Sequence, residues 1–172
     1  EQILDDLKGF MSPLQRRMLK ELLQHLDELN VHIENLNDEI DNFMKPEEKQ
    51  ASQVIQDVTG IGNTSAQTII AVIGTDMERF PSDLHISSWA GLCPGDNVSA
   101  KKRKSGKIRK GNALLKSTLV LCAHAAVRHK SSYFHAQFKR ISTHRGKKRA
   151  YVAVAHSILI AIYHILKDGV KY

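Results

Sequence analysis

The sequence predicts an all-α protein in which a long coiled-coil helix precedes a compact helical domain. Apolar residues recur at spacings of three and four between positions 19 and 43, which is typical of a helix. Residues 54–74 have the pattern of a helix, a tight glycine turn and a second helix, and apolar runs of helical periodicity return after position 113. We therefore expect a connecting and oligomerising arm at 1–49 and a compact domain at 50–172.

The first helix has a clear start, a repeating apolar seam and a clear end. Ser12 is a suitable N-cap, Pro13 fits the first helical position, and Pro46 ends the run. The spacing of the apolar residues forms a heptad seam, and its members are Leu19, Leu22, Leu26, Leu29, Ile33, Leu36, Ile40 and Phe43. The seam fits one arm of an intramolecular hairpin or a coiled coil between chains, and the sequence leaves both open.

The glycine turn at 60–62 fits a helix-hairpin-helix, a motif that binds nucleic acid through its backbone. Gly60 and Gly62 would let backbone N–H groups at the start of the second helix point outward, where the helix dipole favours an anion. Ala66 would let the two helices approach closely. We predict phosphate binding here without sequence readout, and the alternative is a hairpin with a structural role only.

The rest of the chain is predicted to consist of helices separated by cationic loops. Ser82 or Asp83 can cap a short helix, and three further helices are expected at about 113–129, 132–143 and 149–167. The stretch 91–112 is rich in Gly, Lys and Arg and lacks apolar periodicity, so we predict a long functional loop.

The charge of the chain is strongly asymmetric along the sequence. Residues 97–167 contain no Asp or Glu, yet they carry 17 of the 25 Lys and Arg residues. Residues 1–96 hold 7 basic and 17 acidic side chains, whereas 97–172 hold 18 basic and 1 acidic. A region of one sign attracts polyanions, so nucleic acid is the predicted ligand.

Composition also argues against several other classes of protein. Cys93 and Cys122 lack a metal-binding or redox spacing, which favours two reduced thiols and a cytoplasmic location. The apolar run at 151–166 is interrupted by polar residues and is better interpreted as a buried helix than as a membrane span. Residues 97–167 offer no carboxylate to Mg²⁺, and the nine histidines show no convincing ligand spacing, so we predict no metal site in this chain.

Ser99 lies in the middle of the basic loop and is the candidate nucleophile. Cations around a hydroxyl would neutralise phosphate oxygens and stabilise the charge that develops during attack on a phosphodiester. From the residues alone, however, a serine in a basic loop is more often a hydrogen-bond donor to phosphate, and Ser105 competes for either role. The surrounding cations are Lys101, Lys102, Arg103, Lys104, Lys107, Arg109 and Lys110.

Several motifs in the same order resemble one family. They lie at residues 60–62, 79–82, 89–94, 99, 104–112 and 145–150. With these motifs, residues 50–170 resemble the C-terminal transposase domain of the Piv invertase and insertion-sequence one-ten transposases.

The resemblance implies a two-part enzyme. A RuvC-like domain with acidic Mg²⁺ ligands would precede a C-terminal domain that donates a serine nucleophile, and a guide RNA would select the DNA sites. Ser99 occupies the position of the family serine. Nothing before residue 50 resembles a RuvC-like domain, so we expect this chain to be a prokaryotic fragment that lacks it, together with the Mg²⁺ ligands.

One local departure from the family pattern concerns the residues after the serine. Family members usually have two glycines there, whereas this chain has Ala100 and Lys101. The predicted function is nevertheless the C-terminal half of a serine-dependent transposase. A second cationic turn, Arg145, Lys147, Lys148 and Arg149, would bind more distant backbone of DNA or guide RNA. The alternatives are a non-catalytic helix-hairpin-helix module and an assembly protein built on the coiled coil.

Overall fold

Among the residues that the structure describes, the protein is all-α apart from one short antiparallel ribbon. A computed structural model describes the backbone of residues 9–93, 97–99, 102–105 and 108–172, and the side chains of 9–93 and 108–172. Contacts divide the chain into a first unit that ends at Met44 and a second unit, Lys45–Tyr172. The all-α prediction is therefore confirmed.

The first unit is dominated by one helix, α1 (Pro13–Phe43). It begins as predicted, because Ser12 and Gln15 form a reciprocal capping box: the Gln15 N–H donates to Ser12 Oγ at 3.3 Å, and the Ser12 N–H donates to Gln15 Oε1 at 2.8 Å. None of its residues is buried in the described structure. Seven of its eight seam side chains are exposed, from 44% at Ile40 to 89% at Phe43, and Leu19 is half-buried.

The second unit contains six helices among the residues described. They are α2 (Pro46–Ile55), α3 (Asn63–Ile73), α4 (Asp83–Trp89), α5 (Ala113–Ala126), α6 (Tyr133–Arg145) and α7 (Lys147–Asp168), with a short 3-10 helix at Met77–Arg79. The predicted short helix after Ser82 is thus present as α4.

Helix α7 is the centre of the core and packs against α2, α4, α5 and α6. Val154, Ile158, Leu159 and Ile162 have no exposed surface, which is the burial expected of a helix surrounded by others. Helix α7 is the one helix in the described residues that is long and apolar enough to cross a membrane. Its packing supports the prediction of a buried core helix.

Three local predictions differ from the structure. The helix before the glycine turn is predicted to begin at Val54, whereas α2 runs from Pro46 to Ile55 and residues 56–60 form the turn. The cationic turn at 143–149 is almost entirely helical, since α6 continues to Arg145, α7 begins at Lys147, and only Gly146 separates them. The basic loop contains two short strands, β1 (Asn97–Ser99) and β2 (Lys102–Ser105). A two-stranded ribbon needs only backbone pairing and no apolar face, so hydrophobic periodicity could not reveal it.

Candidate nucleic-acid interface

The base of the basic loop is closed by two glycines that leave no room for a side chain. Gly91 has φ +71°, and a Cβ there would lie 2.8 Å from both the Arg109 carbonyl oxygen and the Gly111 nitrogen. A Cβ on Gly111 would likewise fall on the backbone of Ala90 and Gly91. The two ends of the loop therefore touch backbone to backbone, a contact that only glycine allows.

The contact between Gly91 and Gly111, called the glycine neck below, is anchored in the folded unit by hydrogen bonds. The Arg109 N–H donates to the Cys93 carbonyl and the Asn112 N–H to the Trp89 carbonyl, each at 3.4 Å. The Asn112 side chain also caps α5, accepting the Leu115 N–H at 2.9 Å. The loop thus leaves the domain at α4 and returns at the start of α5.

The ribbon carries the candidate serine at the end of its first strand. Ser99 pairs with Lys102 across the two strands, Val98 pairs with Arg103, and Asn97 pairs with Ser105. The side chains of these residues and of Lys104 lie outside the described part of the structure, and Lys101 and Lys107 lie outside it altogether. Ser99 as the nucleophile and these cations as phosphate ligands stay predictions.

Arg109 and Lys110 are the two predicted loop cations whose side chains are described. Both are exposed at the neck, next to the glycine contact. Nearby, burial raises the pKa of the Cys93 thiol, and the positive charge of Arg109 only partly opposes this. Burial likewise raises the pKa of the Cys122 thiol. Both thiols are free and held in the neutral form, so neither is an activated nucleophile.

The glycine turn between α2 and α3 places its two glycines in different environments. Gly60 has φ +96° and packs against α5, where a Cβ would lie 2.5 Å from the Cys122 carbonyl oxygen and 2.7 Å from the Ala126 nitrogen. Gly62 is the exposed N-cap of α3, with open space around its Cα and no side-chain cap. Ala66 is fully buried.

These environments assign different tasks to the two glycines. Gly60 lets the turn approach α5 closely, whereas Gly62 leaves the first N–H groups of α3 accessible to an anion. The geometry is compatible with the predicted phosphate contact at Gly62.

The second cationic cluster comprises Arg145, Lys147, Lys148 and Arg149, all of which are exposed. Arg145 is the last residue of α6, and the other three occupy the first turn of α7, whose N-cap, Gly146, provides no side chain. Cations at a helix N-terminus oppose the helix dipole, so a bound anion would relieve this repulsion. Within residues 9–93 and 108–172, no group of three or more His, Cys, Asp or Glu residues could hold a metal ion.

Comparison with known proteins places the chain in a family of transposases. The family described as transposase IS116/IS110/IS902 matches residues 52–139, just over half of the chain. The chain belongs to this transposase family. The resemblance inferred from the motifs is thus confirmed at the level of the family.

Two curated relatives agree with the transposase family. The chain is 29% identical over 124 residues to the transposase for insertion sequence element IS1111A of Coxiella burnetii, with 70% of the chain and 34% of that protein aligned. It is 27% identical over 134 residues to the insertion element IS110 uncharacterized 43.6 kDa protein of Streptomyces coelicolor, covering 73% of the chain and 31% of that protein. The chain spans about a third of the length of these relatives.

Proposed function

We propose that this chain is the C-terminal catalytic and nucleic-acid-binding part of a serine-dependent DNA transposase. The observation that carries the proposal is the extent of the family match, because residues 52–139 include Ser99 and the whole basic loop. The glycine neck supports it, since it fixes both ends of the loop on the folded domain. We propose that the activity belongs to a longer protein, because the chain spans about a third of the length of its curated relatives.

In the proposed reaction, Ser99 Oγ attacks a DNA phosphorus atom. The Oγ–P bond forms as one P–O bond to a deoxyribose breaks, the serine proton passes to solvent or a base, and the departing sugar oxygen gains a proton. The phosphodiester is exchanged for a phosphoserine ester, so a DNA hydroxyl can reverse the step and join the strand to a new partner. No external energy source is needed.

The cations of the loop would stabilise the charge on the reacting phosphate. We assign this role to Arg103, Lys104, Lys107, Arg109 and Lys110, because fixed positive charge is most effective where negative charge develops. Lys101 and Lys102 would bind the adjoining backbone. The cluster at Arg145 and Lys147–Arg149 would hold more distant phosphates of DNA or of a guide RNA.

Mg²⁺ does not fit the residues of this chain's basic half. Residues 97–167 contain no carboxylate, and hard divalent cations are bound by oxygen ligands. We propose that the acidic ligands belong to a RuvC-like domain outside this chain. The proposed setting is the cytoplasm of a prokaryotic cell.

A DNA substrate that releases its leaving strand after cleavage tests whether the chemistry is covalent. With the complete transposase, we expect a protein–DNA adduct that survives denaturation and is lost on nuclease digestion. Cleavage without any such adduct would favour a non-catalytic helix-hairpin-helix module in this chain and place the chemistry elsewhere.

The salt dependence of binding tests the role of the second cationic cluster. For the chain alone, roughly 4 to 8 neutralised phosphates predict a log–log slope of binding against salt of about −4 to −7. Replacing Arg145, Lys147, Lys148 and Arg149 by glutamine should reduce the steepness by about 2 to 4. Titrations with duplex DNA at several salt concentrations measure it, and an unchanged slope would contradict the assignment.

We also propose that the exposed seam of α1 pairs with a second copy of the chain. Leu29→Asp would place a charge inside a coiled-coil seam and is expected to weaken association at least tenfold, on the order of 1.4 kcal/mol or more. Asn35→Asp introduces the same residue at an exposed outer position of the heptad and is the matched control. Light scattering across a concentration series measures the assembly, and equal behaviour of both variants would contradict pairing.

A further inference from the structure

Three aromatic rings from three different helices stack beside the second cationic cluster. Tyr151 of α7 stacks on His124 of α5, with ring centroids 3.6 Å apart and an interplanar angle of 19°. Tyr151 also contacts Phe138 of α6, with centroids 4.5 Å apart and an angle of 41°. Tyr151 is therefore the middle ring, and His124 is the terminal ring on the α5 side.

Exposure increases along this stack towards His124. Phe138 and Tyr151 are half-buried, whereas His124 is exposed. Because Tyr151 covers one face of the imidazole, the exposed surface of His124 belongs to its opposite face and its edges. No hydrogen bond from the described part of the chain holds the imidazole, so stacking positions it. The protein thus presents an exposed flat ring that is stacked on Tyr151 through one of its faces.

Exposed cations accompany each of the three rings. Lys147 and Lys148 lie four and three residues before Tyr151 on α7, which places them on the same side of that helix. Arg145 lies two helical turns after Phe138, and Arg128 lies four residues after His124, just beyond the end of α5. Within the residues whose side chains are described, these four cations form no ion pair with a carboxylate. The surface is therefore free to bind an external anion.

We propose that the open face of His124 is a stacking site for an unpaired base of single-stranded nucleic acid. The neighbouring phosphates would contact Arg128, Lys147 and Lys148. Aromatic faces next to a cationic groove are the means by which proteins bind single strands, since every base has a face that can stack. A base inside a duplex has both faces covered by its neighbours, so the site selects strands that are open or locally melted.

This inference rests on the proposed nucleic-acid binding but not on the proposed nucleophile. It specifies where a base binds and predicts a preference for single strands. The charge pattern alone predicts neither, because phosphates are common to single and double strands. It also separates the roles of the residues: the cations contribute affinity for any strand, and His124 contributes preference for an unpaired base.

The test compares the whole chain with His124→Ala and His124→Phe. The ligands are a single-stranded DNA oligonucleotide containing 2-aminopurine, an RNA of the same sequence, and a duplex with the same number of phosphates. His124→Ala should lose about 5- to 50-fold in affinity for one or both single strands and less than about twofold for the duplex. His124→Phe keeps an aromatic face and should remain within about threefold of the original chain for the same strand.

Two further readouts distinguish base stacking from loss of charge or of folding. Quenching of 2-aminopurine fluorescence should fall with His124→Ala and persist with His124→Phe, because quenching reports stacking. Lys147→Gln should weaken single and double strands alike and reduce the salt slope by about 1, whereas His124→Ala should leave the slope unchanged.

The proposal is overturned if His124→Ala weakens duplex and single strands equally, if it has no effect, or if phenylalanine fails to restore binding. Failure of the chain to bind any oligonucleotide would overturn it together with the proposed binding function. If His124→Ala lost affinity for single strands only, and the complete enzyme formed no covalent adduct, the stacking site would be supported. The assignment of Ser99 as the nucleophile would then be the only part contradicted.

Discussion

Replacing Ser99 by alanine is expected to abolish strand joining by the complete transposase while leaving DNA affinity within about twofold. Removing a covalent nucleophile eliminates the step itself, so the loss should reach at least about a thousandfold. Binding should survive because the glycine neck and the exposed cations of the folded unit remain in place. Joining assays and equilibrium titrations on one preparation measure the two effects.

Ser105→Ala is the matched control for this experiment. Ser105 lies on the second strand of the same ribbon and also carries a hydroxyl among cations. We expect it to retain strand joining within about tenfold. If only Ser105→Ala lost activity, Ser105 on the second strand would be the nucleophile. If Ser99→Ala kept full activity and Ser105→Ala did too, the nucleophile would lie outside the ribbon.

Replacing Gly60 by alanine is expected to destabilise the second unit by about 2 to 4 kcal/mol. Two costs combine: the residue has φ +96°, and its Cβ would lie 2.5 Å from the Cys122 carbonyl oxygen and 2.7 Å from the Ala126 nitrogen. Both of these atoms belong to the backbone of α5, so no side chain can rotate to make room. Denaturant unfolding of the whole chain measures the loss.

Gly62→Ala is the control that shows whether the loss of stability at Gly60 comes from its close contact with α5 or from replacing any glycine of the turn. Gly62 has φ −101° and open space around it, so alanine there should cost less than about 1 kcal/mol. If the two variants were equally destabilised, the close approach of the turn to α5 would not be the reason for Gly60.

Most of the helices could be predicted from the sequence because their signals are local, whereas α2 lies earlier in the chain than its predicted position. The N-cap Ser12, the prolines at 13 and 46, and the heptad spacing of α1 all act within a few residues of each other. The core role of α7 followed from its apolar run, which the structure places between the other helices of the second unit.

The contacts that shape the interface could not be predicted because they join distant residues. Gly91 and Gly111 meet across the length of the basic loop, and Gly60 meets Cys122 and Ala126 on another helix. The stack of His124 on Tyr151 joins positions 27 residues apart on two helices. Sequence spacing shows only that the histidines lack a convincing metal-ligand pattern, whereas the structure places His124 exposed and stacked on Tyr151.

The excess of basic residues could be predicted from the composition, but the positions of these charges on the surface could be described only from the structure. The asymmetry between the two parts of the sequence indicated a polyanion, yet the cluster at 145–149 had the sequence features of a loop. In the structure it occupies two helix ends, because one glycine with φ +80° is enough to separate α6 from α7. This places three cations in the first turn of a helix, where an anion is favourable.

The most direct test of the account is to identify the amino acid that carries the DNA in the trapped covalent complex. The complete transposase is reacted with the leaving-strand-release substrate, the DNA is digested to a short remnant, and the modified peptide is sequenced by mass spectrometry. We predict a single phosphoester on Ser99, which is absent from the Ser99→Ala protein. A remnant on Ser105 or on any other residue would contradict the assignment of Ser99 as the nucleophile.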